Sequence, residues 1–290
     1  MSLRFESLAD FLDRGSAALA HGPVALILVE DAAEYASTLR HHLDAGFRAV
    51  VAFAPPDLAL PSFDDPRLSL VMAPVLSPGA MPAIVNPCID AAPAGTWFYY
   101  GWNAEYLFTP FRESRSVGEL LAFVAEERRA SVLAYVIDLY ADDLTLVPDA
   151  VSLERAHMDR TGYYALARKG ANGQPAERQL DFFGGLRWRF EEHVPGARRR
   201  IDRVALFRTA KGLRIGTDHM FDIAEYNTYA CPWHNSPTAT VCSFRTAKAL
   251  KRNPGSRFAI DSFMWHNSVP FEWHSRQLLD LGLMEPGQWF

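Results

Sequence analysis

The residues best suited to chemistry stand in a few short stretches. In "TWFYYGWNAEYLFTP" (residues 96–110), the pattern of a buried strand runs out into a loop at one carboxylate, Glu105, set among Trp102, Asn103, Ala104 and Tyr106. An acid at a strand end can line a cleft, where neighbouring rings desolvate it and raise its pKa. The competing reading is an acid that caps a neighbouring loop. In "DFFGGLRWRF" (181–190), Gly184 and Gly185 allow a sharp turn or a close approach to a ligand. Arg187 follows with a planar fork suited to phosphate or carboxylate. A hairpin turn with a solvated arginine has the same signature. In "RIDRVALFRTAKGLRIGTDHMF" (200–221), Arg203, Arg208, Lys211 and Arg214 surround a strand, and Asp218 and His219 come after it. Such cations can neutralise a diphosphate, although a solvated basic strand face is the commoner cause of such a run.

Cys231 and His234 in "CPWH", with Cys242 further on, form an incomplete zinc set, and nothing else supports a Cys/His nucleophile. The expected metal ligands are therefore none. The tail "DSFMWHNSVPFEWHSRQ" reads as a lid or a packed terminus whose aromatic rings can stack on a sugar or a base. The sequence has no glycine-rich dinucleotide fingerprint, phosphate loop, GxSxG elbow or kinase set.

Parallel strands and helices must position these groups. "PVALILV" (23–29) is a continuous apolar run, the mark of a strand buried on both faces. "EDAAEYASTLRHHLDAG" follows as a helix with Ala33, Ala36, Leu39 and Leu43 on one stripe and Gly46 at its end. "FRAVVAFA", "LSLVMAP" and "TWFYY" read as further strands, and "GAMPAIVNPCIDAAPAG" as a helix or an irregular crossover. "SVGELLAFVAEERR" (116–129) is an amphipathic helix and "SVLAYVIDLY" a strand. Beyond that point "GYYALAR", "LRWRF", "RVALFR", "LRIGT" and "TATVCSF" read as short strands, with "RTAKALKRN" and "FEWHSRQLLDLG" as closing helices. The fold class is α/β: a nucleotide-binding-like sheet flanked by helices over 1–145, and a β-rich half over 146–290 that completes a cleft within one domain, 1–290.

Composition narrows the class further. With 290 residues, 49% hydrophobic and 22% charged, the chain can bury a substantial core and is not mainly disordered. A net charge of −5 argues against broad nucleic-acid binding. Three cysteines without framework spacing fit a reducing compartment, and no stretch reaches the ~18 apolar residues of a membrane span. The expected setting is cytoplasmic, with no transmembrane segment.

Together these stretches resemble the family 2-like glycosyltransferases of the GT-A fold, in the bacterial branch with a donor site at a "W…DxDE(F/Y)L" strand end. "ILVEDAAEYASTLRHHLDAGFRAVVAF" is similar to the opening strand, helix and second strand of that family. "TWFYYGWNAEYLFTP" keeps the motif's spacing, from Trp97 to Glu105-Tyr106-Leu107. "FFGGLRWRF" resembles its "GG-x-R" turn, "RVALFRTAKGLRIGTDH" its later strand and histidine, and "TVCSFRTAK" its "HFK" segment. The resemblance implies a nucleotide-sugar donor, a glycan or other acceptor, and a transferase activity.

The departures bear on mechanism. Trp102 and Ala104 replace the two metal-binding aspartates, "FAPPD" lacks the acid-and-asparagine signature, and Ser243-Phe244-Arg245 stands for "HFK". An indole and a methyl group cannot bind magnesium. Stabilisation of a leaving diphosphate would then fall to Arg187, Arg203, Lys211, Arg214 and His219. Glu105, Asp142 or Asp143 would serve as the base toward an acceptor hydroxyl. The resemblance thus nominates Glu105, His219 and Asp142 for catalysis. It nominates Trp102, Asn103, Gly184, Gly185, Arg187, Arg203 and Lys211 for donor binding. The alternative is a non-catalytic relative that binds a glycan or a partner through Trp102, Tyr106, Trp265 and Trp273.

Overall fold

The computed structural model describes residues 2–229 and 236–289. In chain order its strands and α-helices are β1 (Leu3–Phe5), α1 (Leu8–Arg14), β2 (Val24–Leu28), α2 (Tyr35–Asp44), β3 (Ala49–Ala54), β4 (Leu68–Met72), α3 (Ala80–Ala91), β5 (Trp97–Trp102), β6 (Glu105–Phe108), α4 (Val117–Glu126), β7 (Ser131–Ala141), β8 (Ala156–Asp159), β9 (Tyr164–Lys169), β10 (Pro175–Phe183), α5 (Leu186–Arg189), β11 (Asp202–Arg208), β12 (Ala239–Ser243), α6 (Arg245–Arg252), β13 (Ser268–Pro270) and α7 (Ser275–Asp280). The architecture is mixed α/β, with a run of parallel strands extended by antiparallel ones and helices flanking the sheet, as the sequence predicts. Two compact units interleave along the chain. The first takes Met1–Asn103, Ser114–Val132 and Val204–Asn227; the second takes Ala104–Glu113, Leu133–Arg203 and Thr228–Phe290.

In the first unit the strand order is β1-β4-β3-β2-β5, all parallel, with β11 antiparallel beside β5. Every residue of β2 is buried, which is why it reads as an unbroken apolar run. Burying each of its Val, Leu and Ile side chains contributes about 1.5–3 kcal/mol. The inward stripe of α2 is Tyr35, Thr38, Leu39, His42 and Leu43, which keeps Leu39 and Leu43 of the expected stripe but not Ala33 and Ala36. The helix opens only after Glu34, whose left-handed φ of 51° leaves Ala33 outside it. His42 is fully buried; its Nδ1 lies 2.8 Å from the Thr38 carbonyl and its ring stacks on Tyr99. α3, whose residues the sequence leaves between helix and irregular crossover, is a twelve-residue helix that buries Cys88. A capping box between Ser116 and Glu119 starts α4 and satisfies its first amides.

The second unit pairs β7 parallel to β12 and β12 antiparallel to β6; β8 lies antiparallel on β7, and β13 on β8. β9 and β10 form a separate antiparallel pair. Tyr106, Phe108, Ile137, Leu139, Cys242 and Phe244 are part of one apolar core, and Leu186, Leu250 and Phe263 part of a second. Two readings change, one in each unit. "LRWRF" is a single helical turn, α5, and "LRIGT" contributes only an isolated bridge, Ile215 to Phe221. Cys231 and His234 lie outside the described residues. Among those described, no helix is long and apolar enough to cross a membrane.

Candidate functional site

The first unit contains a topological switch point. From β2 the chain steps to β3 and β4 on one side, then returns as β5 on the other side of β2. In open parallel sheets, ligands bind outside the carboxyl ends of the strands at such a point. β2 and β5 end in register, Leu28 opposite Trp102, so their next residues form the floor of that position. Asn103 is fully buried there, and its amide is spent on the loop after β2. Its Oδ1 accepts from the Glu30 amide at 2.9 Å, and its Nδ2 donates to Asp31 Oδ1 and the Ala33 carbonyl, both at 2.8 Å. Asp31 also accepts from the Ala33 amide. Asn103 therefore shapes the 30–33 loop. Asp31, which the sequence reading did not single out, is the acid it fixes.

Trp102 and His219 belong to the same unit and meet. The Tyr100 hydroxyl lies 3.0 Å from His219 Nδ1, their rings stack 5.9 Å apart, and Trp102 presents its edge to the imidazole. Trp102 is buried at 5% exposure, so the indole is a wall and not a solvent-facing platform. His219 sits at a left-handed φ of 66°, where the turn is supported by the Asp218 carboxylate accepting from the Met220 amide. Lys211 is exposed in the turn after β11, and Arg214 forms an exposed ion pair with Asp90.

Glu105, Gly184, Gly185, Arg187, Arg203 and Asp142 fall in the second unit. Ala104, at a left-handed φ of 59°, turns the chain so that Glu105 opens β6 and is not left in a loop. Ser243 is in register with Glu105 on one side and Asp138 on the other, giving an acid–hydroxyl–acid row across three strands. Glu105 is 1% exposed, accepts from Arg203 Nη2 at 2.8 Å and from Ser243 Oγ at 3.2 Å. A carboxylate so held, with both oxygens engaged by donors, is a structural anchor.

Asp138 is the other end of the row. Its Oδ2 accepts from the Leu186 amide at 3.0 Å, and Arg187 Nε lies 3.8 Å from Oδ1. Burial pushes its carboxyl above the ordinary value, against the opposing pull of Arg187. Burial likewise lowers the Arg187 pKa. The two glycines now have a physical reason. Gly185 has a φ of 61°, and a Cβ there would stand 2.9 Å from Asp138 Oδ2; one on Gly184 would stand 2.3 Å from the Tyr163 ring. The pair lets the first amide of α5 reach a buried carboxylate. Arg187 is tied down by donating to the Arg200 carbonyl at 2.6 Å and to Thr246 Oγ1 at 3.2 Å.

Asp142 pairs with Arg155 at 2.6 Å, and Asp143 accepts from the Thr145 amide and hydroxyl, which lower its pKa. Tyr106 and Trp273 pack edge to face beside the core, and Trp273 donates to the Leu153 carbonyl. Among the described residues, no group of three or more His, Cys, Asp or Glu side chains is placed to hold a metal ion. Trp102 and Ala104, an indole and a methyl group, offer no ligand to one. The sequence signal for Asp138 was available: it is the one acid inside the otherwise apolar and aromatic strand β7. Asp31 carries no such mark, because an acid after a strand is ordinary. No family model matches the chain, and no curated protein matches it.

Proposed function

We propose that the chain binds a nucleotide-activated sugar at the carboxyl ends of β2 and β5 and transfers the sugar to an acceptor hydroxyl, as the glycosyltransferases it resembles do. The observation that carries this reading is the 30–33 loop, held by Asn103 at the switch point of a parallel sheet with Asp31 fixed in it. A carboxylate or exposed loop amide at this position is suited to ribose hydroxyls and base edges. Half-buried His219, which meets Trp102 at the end of β5, would offset diphosphate charge, with exposed Lys211 of the same unit as a further cation.

A second reading has its own support. All three acids considered as the base are already engaged, Glu105 and Asp142 by arginines at 2.8 and 2.6 Å and Asp143 by the Thr145 amide and hydroxyl, which suits a relative that binds the donor without turning it over. One experiment separates the two. UDP, GDP and their glucose conjugates are screened by thermal shift, with and without manganese, and bound conjugates are then assayed for nucleoside diphosphate release in the presence of acceptor sugars. The expected result is stabilisation by one nucleotide without manganese, abolished by Asp31→Ala, followed by release. Stabilisation without release selects the non-catalytic binder. Failure of every nucleotide to stabilise the protein rejects both readings.

A further inference from the structure

We infer that the second unit carries a separate binding site for a neutral oligosaccharide, at the end of α5. The site is a depression of about 550 Å³ lined by Trp188, Arg189, Phe190, Glu191, Glu192 and Trp265. That size lies within the ~300–1,000 Å³ of small-molecule sites. It does not depend on the nucleotide reading, since every residue in it belongs to the second unit and none takes part in the 30–33 loop.

Two indoles form its apolar part. Trp188 is 43% exposed although it sits in a helical turn. Gly162 brings Trp265 near it: a Cβ there would lie 3.7 Å from both rings. Trp265 is fixed by donating its Nε1–H to the buried carboxylate of Asp159 at 2.7 Å. Tyr140 and Arg189 donate to the same acid, and Arg189 also donates to the Phe263 carbonyl at 2.7 Å. The wall is thus rigid before any ligand arrives, which removes an ordering cost from binding. Carboxylates provide the polar part. Glu192 has a side-chain exposure of 62%, and Glu191 is shared with Arg199.

The charges select the ligand class. Aromatic rings beside carboxylates can make a cage for an organic cation. Over Trp265 the cation seat is taken by the Arg189 guanidinium, 4.5 Å from the ring centroid, and that charge in the lining opposes a second cation. An anionic ligand would meet Glu191 and Glu192. A neutral pyranose meets neither objection: its C–H face lies on an exposed indole, while its hydroxyls donate to the exposed carboxylate of Glu192.

The test titrates the full chain with maltopentaose, cellopentaose and chitopentaose, read by tryptophan fluorescence and calorimetry. Trp188→Ala and Glu192→Gln are titrated in parallel; both side chains are exposed enough for the variants to fold, and circular dichroism checks that they do. Saturable binding of at least one pentasaccharide is expected, weakened about tenfold or more by Trp188→Ala and a few-fold by Glu192→Gln. Tetramethylammonium should leave the signal unchanged, and Trp188→Ala should keep any nucleotide-induced thermal shift. The inference is overturned if no pentasaccharide binds, if binding survives Trp188→Ala unaltered, or if tetramethylammonium alone saturates the signal.

Discussion

At the carboxyl ends of β2 and β5 the polar centre of the first unit is made of amides around one carboxylate; on β7, β12 and β6 the centre of the second unit is made of charges. Asn103 satisfies Glu30, Asp31 and Ala33 with neutral or singly charged hydrogen bonds, and the loop it shapes remains part-buried at the surface. Glu105, Arg203, Asp138 and Arg187 are withdrawn from water and answer one another. Buried charges tolerate no misregister, since a displaced partner leaves an ion unsolvated. Hydrogen-bonded amides can adjust by tenths of an ångström at modest cost. The second arrangement fixes strand register; the first suits a place where something is to be bound.

Removing one member of each centre puts the comparison to measurement. Arg203→Met removes the arginine partner of buried Glu105 and should lower the stability of the fold by about 3–5 kcal/mol, read from urea unfolding. The double variant Glu105→Leu/Arg203→Met should recover most of that loss. A single substitution with no measurable effect would show that the ion pair does not anchor β6.

Asn103→Ala should be milder, about 1–3 kcal/mol, because the loop amide it abandons lies near water. Its signature is faster hydrogen exchange at Glu30, while the amide of Leu186 in the other unit is unchanged. Equal losses from the two centres would erase the distinction drawn between them.

The smallest effect is a slope. Burial holds the Asp138 carboxyl above its ordinary value in the folded chain, whereas in the unfolded chain it ionises near about 3.9. Between those values the native state binds more protons, so this group's contribution to stability falls as pH rises through that window. Asp138→Asn lacks this dependence. Its stability relative to the parent should therefore improve as pH is raised from about 4 toward neutrality, read as urea midpoints across a pH series. A relative stability flat in pH would mean that Asp138 is as comfortable ionised inside as outside.

Much of the scaffold was legible because its cause is local. The five-residue β2 core and the amphipathic helix α4 follow from residue types a few positions apart. The misreadings come from contacts distant in sequence. "LRWRF" alternates like a strand, yet Leu186 finds its partner in Asp138, 48 residues away, and the turn that results is helical. Glu105 reads as a strand-end acid because nothing about an alanine announces the left-handed turn at Ala104 that starts a new strand. For the candidate site, Asn103, Trp102 and His219 were visible as residue types. The loop that Asn103 holds was not, since the bonds reach from residue 103 to residues 30–33.

The cysteines offer a different kind of consequence. Cys88 lies on α3 in the first unit and Cys242 in β12 in the second, both buried, and burial raises both thiols, that of Cys88 to about 12. Alkylating reagents attack the thiolate, so neither sulfur reacts while its surroundings stay shut. Iodoacetamide uptake, resolved peptide by peptide, therefore clocks the breathing of each unit separately without any engineered label.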